Sequence, residues 1–139
     1  AIARNLAVMS SLKTKILVIV SGEGGSGGAL ALGVGDHIAI LEYGTYSVAS
    51  PEACASIVWR ESDKAPQAAE AMKVGANDLK KIGIVDEIIT EPIGGAHQDY
   101  DTISASIKLS LLTNIAELSK LSQEELLQRR YQRLLKIGA

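Results

Sequence analysis

Five glycines stand among eight residues in Ser21-Gly22-Glu23-Gly24-Gly25-Ser26-Gly27-Gly28, the segment of this chain best suited to chemistry. Glycine leaves backbone N–H groups uncovered by side chains. Where such a turn opens a helix, those N–H groups lack intrahelical acceptors and sit at the positive end of the helix dipole. Two chemistries use that arrangement. Gly22, Gly24 and Gly27 match G-x-G-x-x-G, and Glu42 follows 20 residues after Gly22 near the end of the next strand. That outlines a dinucleotide-binding turn and a NAD-dependent dehydrogenase. In the other, adjacent N–H groups at Gly27 and Gly28 donate to an oxygen that gains negative charge during reaction. The helix after the glycines, read as residues 29–34, is short for a dinucleotide fold, and Gly25 and Gly28 lie outside its fingerprint. Glycines that only permit a tight turn and close helix–strand packing are the plain structural alternative.

The flanking elements must position this turn. Residues 15–20 are mostly aliphatic, and the run from Ile16 to Val20 suits a strand buried on both faces, as in a parallel sheet. Residues 37–42 read as a second strand and 84–89 as a third, with 43–48 as loop or short strand. Ser50-Pro51-Glu52 combines a cap residue, a proline at the first helical position and an acid in the first turn, predicting a helix to about Arg60. Pro66 opens another helix to about Val74. Residues 76–81 form a short one, stopped by Gly83. Glu91-Pro92-Ile93-Gly94-Gly95 breaks regularity. Ile103, Ile107, Leu111, Ile115 and Leu118 mark a long amphipathic helix. Ser122-Gln123-Glu124-Glu125 fits a capping box, with Leu121 and Leu126 placed for a hydrophobic staple; that helix ends near Ile137. Strands alternating with helices give an α/β class.

At the start, Ile2, Leu6 and Met9 share a helical stripe, with no capping residue before Ala1. The chain is therefore expected to begin inside an element, as a fragment of something longer. Its 139 residues and 47% hydrophobic content suit one ordered domain. A net charge of −2 gives no general electrostatic reason to bind nucleic acid. The single cysteine, Cys54, excludes an intramolecular disulfide framework and a multi-cysteine zinc site, and is expected as a small buried hydrophobe. No run approaches the roughly 18 apolar residues of a membrane span. Two histidines without a nearby acidic pair argue against a metal site. His37 is expected at the surface or an edge. Arg129, Arg130 and Arg133 are expected on a solvated face near a helix C-terminus, with contact to a partner subunit or an anion as the sharper alternative.

Longer stretches are more specific. GEGGSGGALALGVGDHIAILEYGTYSVASPEACASIVWR, DKAPQAAEAMK, DLKKIGIVDEIITEPIGGAH and RRYQRLLKIG occur in that order. With them the chain resembles, over essentially its whole length, the α subunits of bacterial-type acetyl-coenzyme A carboxylase carboxyltransferases. The resemblance implies a crotonase-like (ClpP/crotonase) α/β fold, truncated at the N-terminus, with C-terminal helices. Residues 1–139 would be the C-terminal part of a single carboxyltransferase domain, and 102–137 a helical extension within it. The implied activity moves a carboxyl group from carboxybiotin, on biotin carboxyl carrier protein, to acetyl-CoA, forming malonyl-CoA for fatty-acid biosynthesis.

That resemblance also implies residue roles. Gly27 and Gly28 would be oxyanion donors toward the ureido oxygen of biotin, and Gly24, Gly25 and Ser26 the carboxybiotin loop. A second donor would come from an upstream glycine-rich loop, so the fragment alone is expected to be inactive. Hydratases of this fold carry a glutamate where Leu30 stands here; a second one corresponds to Glu52, which also suits a helix start. Glu52 and His97, the latter in the family's GGAH run, are candidate site or interface residues. The implied partners are a carboxyltransferase β subunit in an α2β2 heterotetramer, the carrier protein, and biotin carboxylase in a larger ATP-dependent complex. The metal of the family lies in the β subunit. The implied location is bacterial cytoplasm, with plastid stroma as second choice. A non-catalytic interaction module built on residues 102–137 is the alternative if the natural chain is this short.

Overall fold

The computed structural model describes residues 2–137. Its centre is a three-stranded parallel sheet in the order β1-β3-β5, with β1 at Leu17–Val20, β3 at His37–Leu41 and β5 at Glu87–Ile89. Successive side chains alternate between the two faces of such a sheet. On one face Val18, Val20, Ile38 and Ile40 pack against Ala76 and Leu79 of helix α5 (Ala76–Lys81). On the other, Ile19, Ala39, Leu41 and Ile89 pack against Ile103 and Ile107 of α6 (Tyr100–Leu118). The middle strand is covered on both sides, which explains its unbroken apolar run.

A second, two-stranded parallel sheet holds the glycine segment. In it β2 (Glu23–Gly25) pairs with β4 (Thr45–Ser47), setting Gly24 opposite Tyr46. The glycines were expected to be turn throughout; three of these residues instead form a strand, because β4 supplies a ladder. Helix α2 follows at Ser26–Leu32, three residues earlier than the small-residue run predicts. The helix α1 (Ile2–Ser11) lies against α2 and half-buries Leu6 and Met9.

The local stop and start signals hold. Ser50 caps α3 (Pro51–Trp59), accepting a hydrogen bond from Ala53 N. Helix α4 spans Ala65–Met72, and Gly83 ends the α5 segment at φ 76°. Ser122 and Glu125 form the reciprocal capping box of α7 (Gln123–Leu135). The buried stripe of α6 differs from the expected one. Ile103, Ile107, Leu111 and Leu118 turn inward as expected, but Ser110 and Asn114 join them and Ile115 is exposed. Ser110 and Asn114 are drawn inward because both donate to Glu87.

Candidate functional site

The parallel strands give the sheet two unlike ends. Their carboxyl ends lead into the glycine segment and into the loops after β3 and β5, which is where α/β folds commonly bind ligands. Thr45 N donates to Gly22 O at 2.9 Å, joining the glycine segment to the β3–β4 turn. Tyr46 supports it from below. A Cβ at Gly24 would stand 2.7 Å from Tyr46 Cδ2, so only glycine fits there without displacing the ring. The Tyr46 hydroxyl donates to Ala29 O inside α2, and burial pushes its pKa up against the opposing pull of Arg133. Tyr46 thus fixes α2 against β2, a function that the sequence pattern gave no sign of.

The glycines divide into two groups. Gly24 is required by Tyr46, and a Cβ at Gly27 would come within 3.2 Å of Ile2 Cδ1. At Gly25 and Gly28 an added Cβ would meet nothing within 4 Å. Neither of these two has the positive φ that favours glycine. Packing within the described residues does not require glycine at either position, and their backbone faces open space. No side chain caps α2. Its first turn therefore presents N–H groups that lack intrahelical acceptors. Ser26 opens the helix at φ 53°, a left-handed conformation that costs on the order of 1–3 kcal/mol in a non-glycine residue.

Ser26 is also the serine of a G-x-S-x-G run, Gly24 to Gly28, on a strand–turn–helix bend. A nucleophilic serine needs an adjacent base. The two histidines bond elsewhere: His37 Nε2 to Glu87 Oε2 at 2.9 Å, and His97 Nε2 to Gln98 Nε2 at 3.0 Å. The geometry favours N–H donation over a serine nucleophile.

Gly24, Gly25, Ser26, Gly27 and Gly28 are contiguous at the β2–α2 junction. Glu52 lies exposed in the first turn of α3, and His97 exposed in a short 3-10 turn at Ala96–Gln98. No hydrogen bond among the described residues joins either to the glycine turn. Glu42, expected at a ribose in the dinucleotide reading, accepts from Glu91 N at 3.1 Å and so ties two loops together. Cys54 is half-buried and free. Among the described residues no group of three His, Cys, Asp or Glu could hold a metal ion, and no helix is long and apolar enough to cross a membrane.

The amino ends of the strands are closed by charge pairs. Asp36 precedes β3 and accepts from Ile16 N at 2.7 Å; Asp86 precedes β5 and accepts from Ile38 N at 2.8 Å. Helix α7 supplies one arginine to each. Arg130 bonds both Asp36 oxygens at 2.8 Å, and Arg133 reaches Asp86 Oδ2 at 3.1 Å. Three helical residues rise about 4.5 Å, close to the roughly 4.8 Å between neighbouring strands, so α7 meets one carboxylate per strand interval. The expectation of a solvated arginine face holds for Arg129, which is exposed, and is overturned for Arg133, half-buried, and for Arg130, which is 1% exposed against an Asp36 at 0%. His37 is likewise no surface residue, its side chain being 12% exposed. Burial pushes the Glu87 carboxyl up, but hydrogen bonds from Ser110, His37 and Asn114, with the His37 charge, hold it below its ordinary value.

A family model described as acetyl co-enzyme A carboxylase carboxyltransferase-like matches residues 1–138. The chain belongs to that family. The acetyl-coenzyme A carboxylase carboxyl transferase subunit alpha of Photobacterium profundum is 59% identical over 99% of the chain, and 43% of that relative is covered. The same subunit from Vibrio cholerae is also 59% identical, and that from Pseudoalteromonas atlantica 56%, with the same coverage. The chain thus spans less than half the length of these curated relatives. In fold it is similar to a chain of a Pseudomonas malonate decarboxylase hetero-tetramer solved in complex with coenzyme A, with a TM-score of 0.64 at 14% identity, covering 97% of this chain and 57% of that one. The fold is of the crotonase-like α/β class. Family membership and the strand inserted into the glycine segment both disfavour the dinucleotide alternative.

Proposed function

We propose that this chain is the C-terminal part of a carboxyltransferase α subunit, and that residues 1–139 belong to one carboxyltransferase domain with 102–137 as its helical extension. The observation that carries the reading is 59% identity to such subunits along 99% of the chain. Carboxybiotin on its carrier protein supplies the carboxyl group, and acetyl-CoA accepts it to give malonyl-CoA. The Gly27 and Gly28 N–H groups donate to an oxygen that becomes more negative as the carboxyl group leaves, here the ureido oxygen of biotin. An uncharged donor pair suits an oxygen whose charge grows only during reaction.

The fit rests on two features of the turn. Backbone at Gly25 and Gly28 is open to approach, and the first turn of α2 carries no acidic side chain to repel a developing anion. Gly24 and Ser26 hold the loop in shape, Gly24 against Tyr46 and Ser26 through its left-handed backbone. With Leu30 on α2, the chain offers no carboxylate there for hydratase chemistry. Glu52 and His97, both exposed, are assigned to contacts with substrate or subunit. The partners on this reading are a β subunit in an α2β2 assembly, the biotin carboxyl carrier protein and biotin carboxylase, in a bacterial cytoplasm.

The test uses the full-length subunit assembled with its β partner. Incubation with labelled carboxybiotin and acetyl-CoA is expected to yield labelled malonyl-CoA, and omission of this subunit to abolish it. Labelled product at an equal rate without this subunit, or none with it, would overturn the reading.

A further inference from the structure

We propose that Arg130 is a positioning residue for the glycine turn, acting at a distance through helix α1. Arg130 does more than neutralise Asp36. Its Nη1 donates to Met9 O, Ser10 O and Leu12 O at 3.1, 3.2 and 2.9 Å, and its Nη2 to Thr14 O at 2.8 Å. Met9, Ser10 and Leu12 carry the carbonyls at the C-terminal end of α1. That end has no basic residue of its own in the last turn, and α1 has no fully buried residue. A guanidinium on α7, more than a hundred residues later in sequence, therefore serves as its C-terminal cap.

The other end of α1 touches the glycine turn. Ile2 Cδ1 lies where a Cβ of Gly27 would be crowded, so the first turn of α1 covers Gly27 while leaving Gly28 open. The helix has 10 residues, about 15 Å at 1.5 Å per residue. Any shift of its capped end is carried along this short rod to Ile2. A second tie runs in parallel, since Arg133 Nη1 reaches Gly33 O, just past the end of α2, at 3.4 Å. Asp36 locks Arg130 to the sheet through both oxygens, so the cap has a fixed origin. Lysine in place of Arg130 keeps the charge for Asp36, but its three donors on one nitrogen cannot also span the four carbonyls.

The inference rests on the carboxyltransferase reading for its kinetic arm only. In the full-length subunit assembled with its partner, Arg130→Lys is expected to lower kcat about tenfold or more, with KM for acetyl-CoA within about twofold. Amide hydrogen exchange is expected to quicken more at residues 2–11 and 24–30 than at 37–41 and 87–89. Ile2→Ala, at an exposed position far from the charge pair, should reproduce the change at 24–30 without touching 36–41. Exchange at 24–30 unchanged in both variants would refute the proposal whatever the activity. So would exchange raised alike in all elements, which marks a general loss of stability. A wild-type assembly without carboxyl transfer would sink the functional reading while leaving the exchange test of Arg130 in force.

Discussion

At the amino ends of the strands, charge is matched, fully buried at Asp36–Arg130 and half-buried at Asp86–Arg133; at their carboxyl ends, the backbone of the glycine turn is exposed and uncapped. Asp36, Asp86, Arg130 and Arg133 satisfy one another and the adjoining carbonyls, and no buried side-chain polar atom among the described residues lacks a partner. The glycine turn has a strained Ser26, open space at Gly25 and Gly28, and no side-chain cap. One end holds the fold with residues that look reactive by type. The other offers chemistry with residues that have almost no side chains. On the proposed reading, the residues that look reactive by type hold the fold, and the glycines carry the site.

The contrast can be broken most forcefully at the charged end. Arg130→Met leaves the buried Asp36 carboxylate without its charge partner and four carbonyls without its guanidinium, and should cost about 3–5 kcal/mol in urea unfolding. A loss below about 1 kcal/mol would mean that the pair is solvated after all. Adding Asp36→Leu to Arg130→Met should restore part of the stability, since one unpaired buried charge is worse than none.

Next comes Gly24→Ala, where the new methyl meets the Tyr46 ring. About 1–3 kcal/mol should be lost as the ring moves, read by the same unfolding curves. Tyr46→Phe removes only the hydrogen bond to Ala29 O and should cost about 0.5–1.5 kcal/mol. An unchanged midpoint for Tyr46→Phe would detach Tyr46 from the support of α2.

The smallest effect concerns acid. Glu87 has a lowered pKa in the folded state, so its stabilising share is complete above its unfolded value, about 4.3, and disappears as pH falls through the lower folded value. Glu87→Gln should flatten the acid limb of the stability profile. An identical acid limb would remove Glu87 from that account.

Local signals were readable where neighbours in sequence decide the outcome. Ser50-Pro51, the Ser122 box and Gly83 marked their boundaries because caps and stops depend on residues a few positions apart. The aliphatic run from Ile16 to Val20 marked a strand, but the strand covered most fully on both faces is the middle one, β3, while β1 leaves Leu17 and Ile19 half-buried. The glycine turn was visible as a candidate site from residue type alone. Long-range matches were not readable. Arg130 and Asp36 lie 94 residues apart, and nothing local distinguishes Arg130 from a surface arginine. Ser110 and Asn114 broke the apolar period of α6 because their acceptor is on β5. The strand β2 was hidden because its residues, Glu-Gly-Gly, have no strand preference and depend wholly on β4. Tyr46 had no motif to mark it.

Gly28→Ala in the full-length assembled transferase is the most direct test of the division between the two ends. A methyl there meets no atom of the described chain, and alanine favours a helix over glycine by roughly 0.5–1 kcal/mol. The expected result is an unfolding midpoint equal to or above wild type, together with a carboxyl-transfer rate lower by about 10². A variant that transfers carboxyl groups at the wild-type rate would contradict it, and would move the chemistry away from the glycine turn.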